Sequence, residues 1–199
     1  MAQQIILASA SEIRAQLLKN AGIAVEVKPA RVDEEMIRRA LEADGAGPRD
    51  VADALAEAKA LKISRKTPVS LVLGCDQVAD VDRDILSKPE SPEEAIAQLT
   101  RLSGQTHRLL SAAVICHDGK PIWRHVGTVR LTMRELSPGY VTDYVHRNWD
   151  SIRWAVGAYK LEEEGIRLFS RIDGDYFNVL GLPLMEIISY LITRKDLKI

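Results

Sequence analysis

A few short polar segments interrupt an otherwise apolar chain, and their residue types can hold phosphate or move a proton. Ser9-Ala10-Ser11, with Arg14 about one helical turn on, follows the apolar run Gln4-Ile5-Ile6-Leu7-Ala8. A strand-to-helix turn presents free backbone N–H groups and the positive end of a helix dipole, and two hydroxyls and a guanidinium add further donors for an anion. Ser11 alone can equally be a helix N-cap. Gly74-Cys75-Asp76-Gln77 follows a second apolar run, Val69 to Gly74. In open α/β sheets ligands collect at the carboxyl ends of strands, where Asp76 can hold Mg²⁺ or take a proton from water, or simply form a turn. Lys88 precedes Pro89, which favours extended backbone, and can reach a phosphate as a point charge. Lys59, within Leu55 to Ala60, is of a kind that usually faces solvent on a helix. Ser103 to His107 and Ile172 to Leu184 complete the set, with Gly181 and Pro183 suited to positioning a final helix. Neither the glycine-rich phosphate loop ending in Gly-Lys, nor Gly-x-Gly-x-x-Gly, nor Gly-x-Ser-x-Gly occurs.

The elements that must carry these residues follow from periodicity. Strands are expected at 4–8, 24–28 and 69–74, a hairpin at 106–116 and 126–134 around Asp118-Gly119-Lys120-Pro121, and a strand at 165–172. Ile13, Leu17, Leu18 and Ala21 recur at helical spacing after Ser11, and Gly22 stops the helix. Further helices are expected over 33–43, from Arg49 or Asp50 to about Arg65, over 92–102 capped by Ser91, from Pro138 to about His146, and from Pro183 to about Thr193. Alternating strands and helices followed by a hairpin imply an α/β fold with a mixed sheet.

Composition narrows the function classes. The 199 residues carry 27 Lys and Arg against 28 Asp and Glu, so no overall positive charge exists to neutralise a nucleic-acid backbone. Phe, Trp and Tyr number 2, 3 and 5, too few for a stacking platform along a single strand. Apolar content is 46%, enough to build a core, and one domain over 1–199 is expected. No apolar run approaches the ~20 residues of a spanning helix, and no signal-peptide pattern opens the chain. Cys75 and Cys116 form no metal or redox motif and are expected as two buried thiols, which points to a cytoplasmic protein.

Together, over residues 5 to 185, these segments resemble the Maf family of nucleoside triphosphate pyrophosphatases. The resemblance is carried by Leu7 to Ser11 with Arg14, Val32-Asp33-Glu34, Lys59, Gly74 to Val78, Lys88-Pro89, Leu102 to His107, Gly157-Ala158-Tyr159 and Gly174 to Leu184. It implies an elongated mixed β-sheet flanked by helices, two lobes with a central cleft, and hydrolysis of a nucleoside triphosphate to monophosphate and pyrophosphate with Mg²⁺ or Mn²⁺. By that likeness Asp76 is the general base or metal organiser, with Asp33 or Glu34 a further carboxylate near the metal. Ser9, Ser11, Arg14, Lys59 and Lys88 hold the triphosphate, and a homodimer is plausible. The family usually has Pro and Arg where this chain has Glu12 and Ile13. At the three positions that divide the family by substrate, Ile13, Gln77 and Glu162 look like the 7-methyl-GTP subgroup. Glu162 can pair with the positive charge of 7-methylguanine, and Gln77 can bond the base edge. A dTTP- and UTP-type enzyme, or a nucleotide-binding regulator of cell division with weak catalysis, are the alternatives.

Overall fold

A computed structural model describes residues 3–198. Short runs rich in Ile, Val and Leu become parallel strands, buried in β1 and β3 and largely exposed in β2. β1 (Ile5–Leu7) pairs in parallel with β2 (Val25–Val27) on one side and with β3 (Leu71–Val81) on the other, Ile5 lying opposite both Val25 and Leu71. With β4 (Asp84–Leu86), β5 (Thr106–His117), β6 (Lys120–Met133) and β7 (Phe169–Asp173), the described residues form a seven-stranded mixed sheet. Its order is β2-β1-β3-β5-β6-β7, with β4 antiparallel to β3 and β7 antiparallel to β6. This is the α/β architecture expected from the sequence.

Helix starts follow capping chemistry. Ser11 opens α1 (Glu12–Asn20), Asp33 opens α2 (Glu34–Ala43) and Ser91 opens α4 (Pro92–Leu102). Each side chain accepts from the backbone N–H three residues on, which satisfies a donor the helix leaves free. α3 (Pro48–Ser64) begins with proline at its first position, and α5 (Pro138–Ile152) combines proline there with a Ser137 cap. α6 (Tyr176–Val179) is a single turn before α7 (Leu184–Thr193).

The structure departs from the sequence reading in five places. β3 runs on to Val81, so Asp76 lies within a strand and not at its carboxyl end. The hairpin that returns β3 to β4 turns at Asp82 and Arg83, both with positive φ, and lacks the glycine that signals such a turn. β6 starts at Lys120 because Asp118 and Gly119, also at positive φ, make a two-residue turn. α5 continues to Ile152, whose buried side chain extends the stripe of Val141, Tyr144 and Val145. Residues Glu164–Leu168 form 3-10 turns in place of the start of the expected strand, and β7 begins at Phe169.

The chain divides into two compact units. The first comprises residues up to Gln77, Ser111–Gly127 and Tyr176 onwards. Its core joins Leu7, Leu18, Leu73, Cys75, Ile115, Leu182 and Ile187. The second comprises Val78–Leu110 and Thr128–Asp175. There α4 packs on α5, burying Leu99, Leu102, Val141 and Val145.

His107 lies inside the second unit, 1% exposed, with its Nε2 2.6 Å from the Tyr159 hydroxyl and its ring against Phe169. Burial pushes its pKa down to about 4 although the Asp80 carboxylate opposes the shift. The neutral ring is therefore the folded form. As pH falls below 6.5 the unfolded chain gains a proton that the folded chain refuses, so stability drops until about pH 4. About 2 kcal/mol is lost between pH 7 and pH 5 through this group. Urea midpoints measured across that range should fall with acid, and the slope between pH 6.5 and 5 should flatten in His107→Gln.

Candidate active site

Two clusters of polar side chains are built in the first unit, and both meet at the segment Cys75–Gln77. Gly74 makes the first one possible. A Cβ there would lie 2.2 Å from the Ala56 carbonyl oxygen and 2.7 Å from the Ala60 nitrogen, so β3 lies flush against the backbone of α3. That approach carries Asp76 to Lys59 on α3. Lys59 Nζ lies 2.6 Å from Asp76 Oδ1 and 2.8 Å from Glu34 Oε1, at the start of α2. Lys59 and Asp76 are 8% and 6% exposed, so Lys59 is not the solvated helix lysine its sequence context suggested. On the opposite flank of α3, Asp53 and Glu57 pair with Arg124 of β6.

A buried charge of one sign is costly, and a buried pair is held only when each partner answers the other. Burial alone would lower the Lys59 pKa, but the Asp76 and Glu34 carboxylates raise it above its ordinary value. Burial lifts the Asp76 pKa, opposed by the Lys59 ammonium and by Arg14. The proton stays on Lys59, and Asp76 is a more basic carboxylate than a solvated one. That is the direction a general base requires. Cys75, fully buried beside it, is pushed up to about 11 and is an unreactive thiol, as is Cys116. Both are free, matching the two buried thiols expected.

The second cluster surrounds the N-terminus of α1. Ser9 Oγ accepts from the Ser11 N–H at 3.2 Å, and Ser11 Oγ caps Arg14 N. The Arg14 guanidinium reaches back to the chain. Its Nε donates to the Gly181 carbonyl at 2.7 Å, and one terminal nitrogen donates to the Cys75 carbonyl at 3.2 Å and to Ser9 Oγ at 3.3 Å. Both serine oxygens thus accept from the chain, which leaves each hydroxyl hydrogen to donate elsewhere. Gly181 has φ +85°, and a Cβ on it would fall 2.8 Å from the guanidinium, so only glycine lets that carbonyl approach Arg14.

Ser9, Ser11 and Arg14 thus stand together, as do Glu34, Lys59 and Asp76. Asp33 is at the helix cap, its Oδ1 accepting from Met36 N at 2.9 Å, so Glu34 rather than Asp33 joins Asp76. Ile13 is half-buried and packs against the unit's apolar core. Gln77 Nε2 lies 3.0 Å from Ser111 Oγ and from the carbonyls of Asn178 and Val179. Lys88 and Glu162 belong to the second unit and are exposed there. Lys160, beside Glu162 in sequence, bonds Ser151 and Glu163 instead. Ser111 escaped sequence reasoning, though a single hydroxyl in the apolar run Leu109 to Val114 was a signal.

Among the described residues no three His, Cys, Asp or Glu side chains are gathered as a metal site. The donor set nevertheless suits a hard divalent cation. Glu34 and Asp76 are two carboxylates converging on one point, and Mg²⁺ is usually bound by one or two carboxylates with substrate phosphates and water.

Carboxylates beside a helix start furnished with hydroxyl and guanidinium donors, on a mixed α/β sheet, have the chemistry of an enzyme that acts on a phosphate-bearing substrate. Comparison with known proteins narrows this. The family model for Maf-like proteins matches residues 4–194, and the chain belongs to that family. A protein of Roseobacter denitrificans named nucleoside triphosphate pyrophosphatase is 64% identical over 197 residues, covering 99% of each chain. One of Ruegeria pomeroyi with the same name is 62% identical, covering 98% of each. One of Brucella abortus named 7-methyl-GTP pyrophosphatase is 45% identical, also covering 98% of each.

Two outcomes follow from the Lys59 cluster. Gly74→Ala should lower stability by about 1–3 kcal/mol, since the added carbon meets backbone rather than a movable side chain. Thermal unfolding reads this directly. Lys59→Met removes the main counter-charge of a buried carboxylate and should cost about 3–5 kcal/mol at pH 8. The loss should ease toward pH 5 as Asp76 takes up a proton, and should shrink at all pH values in the double variant with Asp76→Asn.

Proposed function

We propose that this protein hydrolyses a nucleoside triphosphate to the monophosphate and pyrophosphate, and that 7-methyl-GTP is among its substrates. The observation that carries the chemistry is the convergence of Asp76 and Glu34 on the buried Lys59, next to a helix start furnished with Ser9, Ser11 and Arg14. Identity of 62–64% with proteins named nucleoside triphosphate pyrophosphatase supports the reaction. The 45% identity with a protein named 7-methyl-GTP pyrophosphatase, together with Gln77 and Glu162, supports the substrate.

In this reading the α1 N-terminus, both serine hydroxyls and Arg14 bind the phosphate oxygens. Preorganised donors of this kind stabilise charge as it develops during attack. Lys59 holds Asp76 in one orientation and keeps it ionised, so that it can accept a proton from the attacking water. Glu34 and Asp76 would hold a divalent cation, which would supply neutralising charge for the phosphates and a more acidic water.

The test is pyrophosphate release from a panel of the common triphosphates and 7-methyl-GTP, with Mg²⁺ or Mn²⁺. Turnover of at least one, abolished by a chelator and reduced roughly 10²-fold or more in Asp76→Asn, is the expected result. No turnover across the panel overturns the reading.

A further inference from the structure

Of the helices longer than one turn, α2 alone has no buried residue among those described. It lies against α3 with Ile37, Arg38 and Leu41 half-buried, while Met36 is exposed. Helices in proteins take most of their stability from packing an apolar face. With so little of that here, a few polar contacts at the start of α2 decide where the helix lies, and with it the Glu34 side chain. Two such contacts come from α3. Lys59 Nζ is 2.8 Å from Glu34 Oε1. Lys62, three residues on and so beside Lys59 on the helix surface, donates from Nζ to the Arg31 carbonyl. Arg31 precedes Glu34 by three residues, and between them Asp33 accepts from Met36 N. The cap turn of α2 is thus held at both ends. The two tethers differ in kind. Lys59 grips the carboxylate, so it competes for that group with any cation. Lys62 grips the backbone and leaves the contacts of the carboxylate untouched.

We propose that Lys62 is a positioning residue for Glu34. Its bond to the Arg31 carbonyl keeps the start of α2 on α3, and so keeps the Glu34 carboxylate on the side of Lys59 and Asp76. The inference rests on the reading that Glu34 and Asp76 hold the divalent cation of the reaction. Lys62 touches neither cation nor substrate and acts through the backbone of residues 31–34. Two features separate it from an ordinary surface lysine. Among the described residues no carboxylate pairs with it, so its ammonium is committed to the carbonyl. That carbonyl leads into a helix that core packing barely fixes. An exposed tether of this kind contributes little to global stability, so its effect is local. Groups that orient a metal ligand without meeting the metal set its affinity, and Lys62 has that place here.

The experiment compares the intact wild-type protein with Lys62→Met, Lys62→Arg and Glu34→Gln. Hydrogen exchange of the metal-free proteins reads the seat of α2 through the amides of Met36 and Ile37, which bond to Asp33. Pyrophosphate release across a Mn²⁺ titration, from a triphosphate that the wild type turns over, reads the cation. In Lys62→Met the two amides should exchange faster while the thermal midpoint barely moves. The Mn²⁺ concentration for half-maximal rate should rise roughly tenfold, with kcat at saturating Mn²⁺ close to wild type. Lys62→Arg, which keeps a donor, should return both readouts toward wild type. Unchanged exchange in Lys62→Met overturns the inference, and so does faster exchange with an unchanged Mn²⁺ dependence. A lower kcat at saturating Mn²⁺ with no shift in the Mn²⁺ midpoint overturns it too, because the effect then bypasses cation binding. In each of those cases the reaction stands. A wild-type Mn²⁺ dependence in Glu34→Gln, or no turnover of any triphosphate by the wild type, overturns the reading beneath and the inference with it.

Discussion

The buried ammonium of Lys59 is the constraint around which the first unit is organised. An unpaired charge in that position would be driven to neutralise, so Asp76 and Glu34 must both arrive on it. They come from different elements, the middle of β3 and the first turn of α2, and Lys59 itself sits in α3. One cation thus fixes a strand and two helices relative to one another. Sliding α3 along β3 would break two ion pairs and drive Ala56 and Ala60 away from Gly74. The two carboxylates are close together only because the ammonium between them cancels much of their repulsion. The same closeness suits them to share a divalent cation.

Arg14 plays the corresponding part for the phosphate-suited turn. A guanidinium has five N–H donors in a rigid fork, enough to satisfy two carbonyls and a serine and still face a ligand. Its bonds to Gly181 and Cys75 hold the side chain in one place, which reduces the conformational entropy it has left to lose. A lysine at this position would keep the charge and lose the fork.

Residues with local jobs were legible in the sequence, and residues with long-range jobs were not. Ser11, Ser91 and Pro138 announce their helices because capping is decided within three or four residues. The Asp82-Arg83 turn was hidden because positive φ at two non-glycine residues is enforced by the pairing of β3 with β4 and by Asp80 accepting from Arg83 N at 2.9 Å. Asp76 was visible as chemistry but misplaced to a strand end, since the polar residues Asp76, Gln77 and Asp80 disguise a strand that continues. Lys59 read as a solvated lysine because its partners lie 17 and 25 residues away in the chain. Asp33 and Glu34 could not be told apart by type. Only the helix start decides that the first becomes a cap and the second reaches Lys59. Ile13, at a position tied to substrate choice by family likeness, is partly absorbed by the core instead.

The unequal lengths of β1 and β3 have a consequence of their own. The last backbone bond between those strands' neighbourhoods runs from Ala8 N to the Leu73 carbonyl, and β3 continues for eight more residues. At Cys75 the acceptor on that edge is met by a side chain, the Arg14 guanidinium. Arg14 thus serves as a surrogate rung of the ladder. The order of the strand carrying Asp76 and the placement of the Arg14 guanidinium at the α1 N-terminus are thereby tied together.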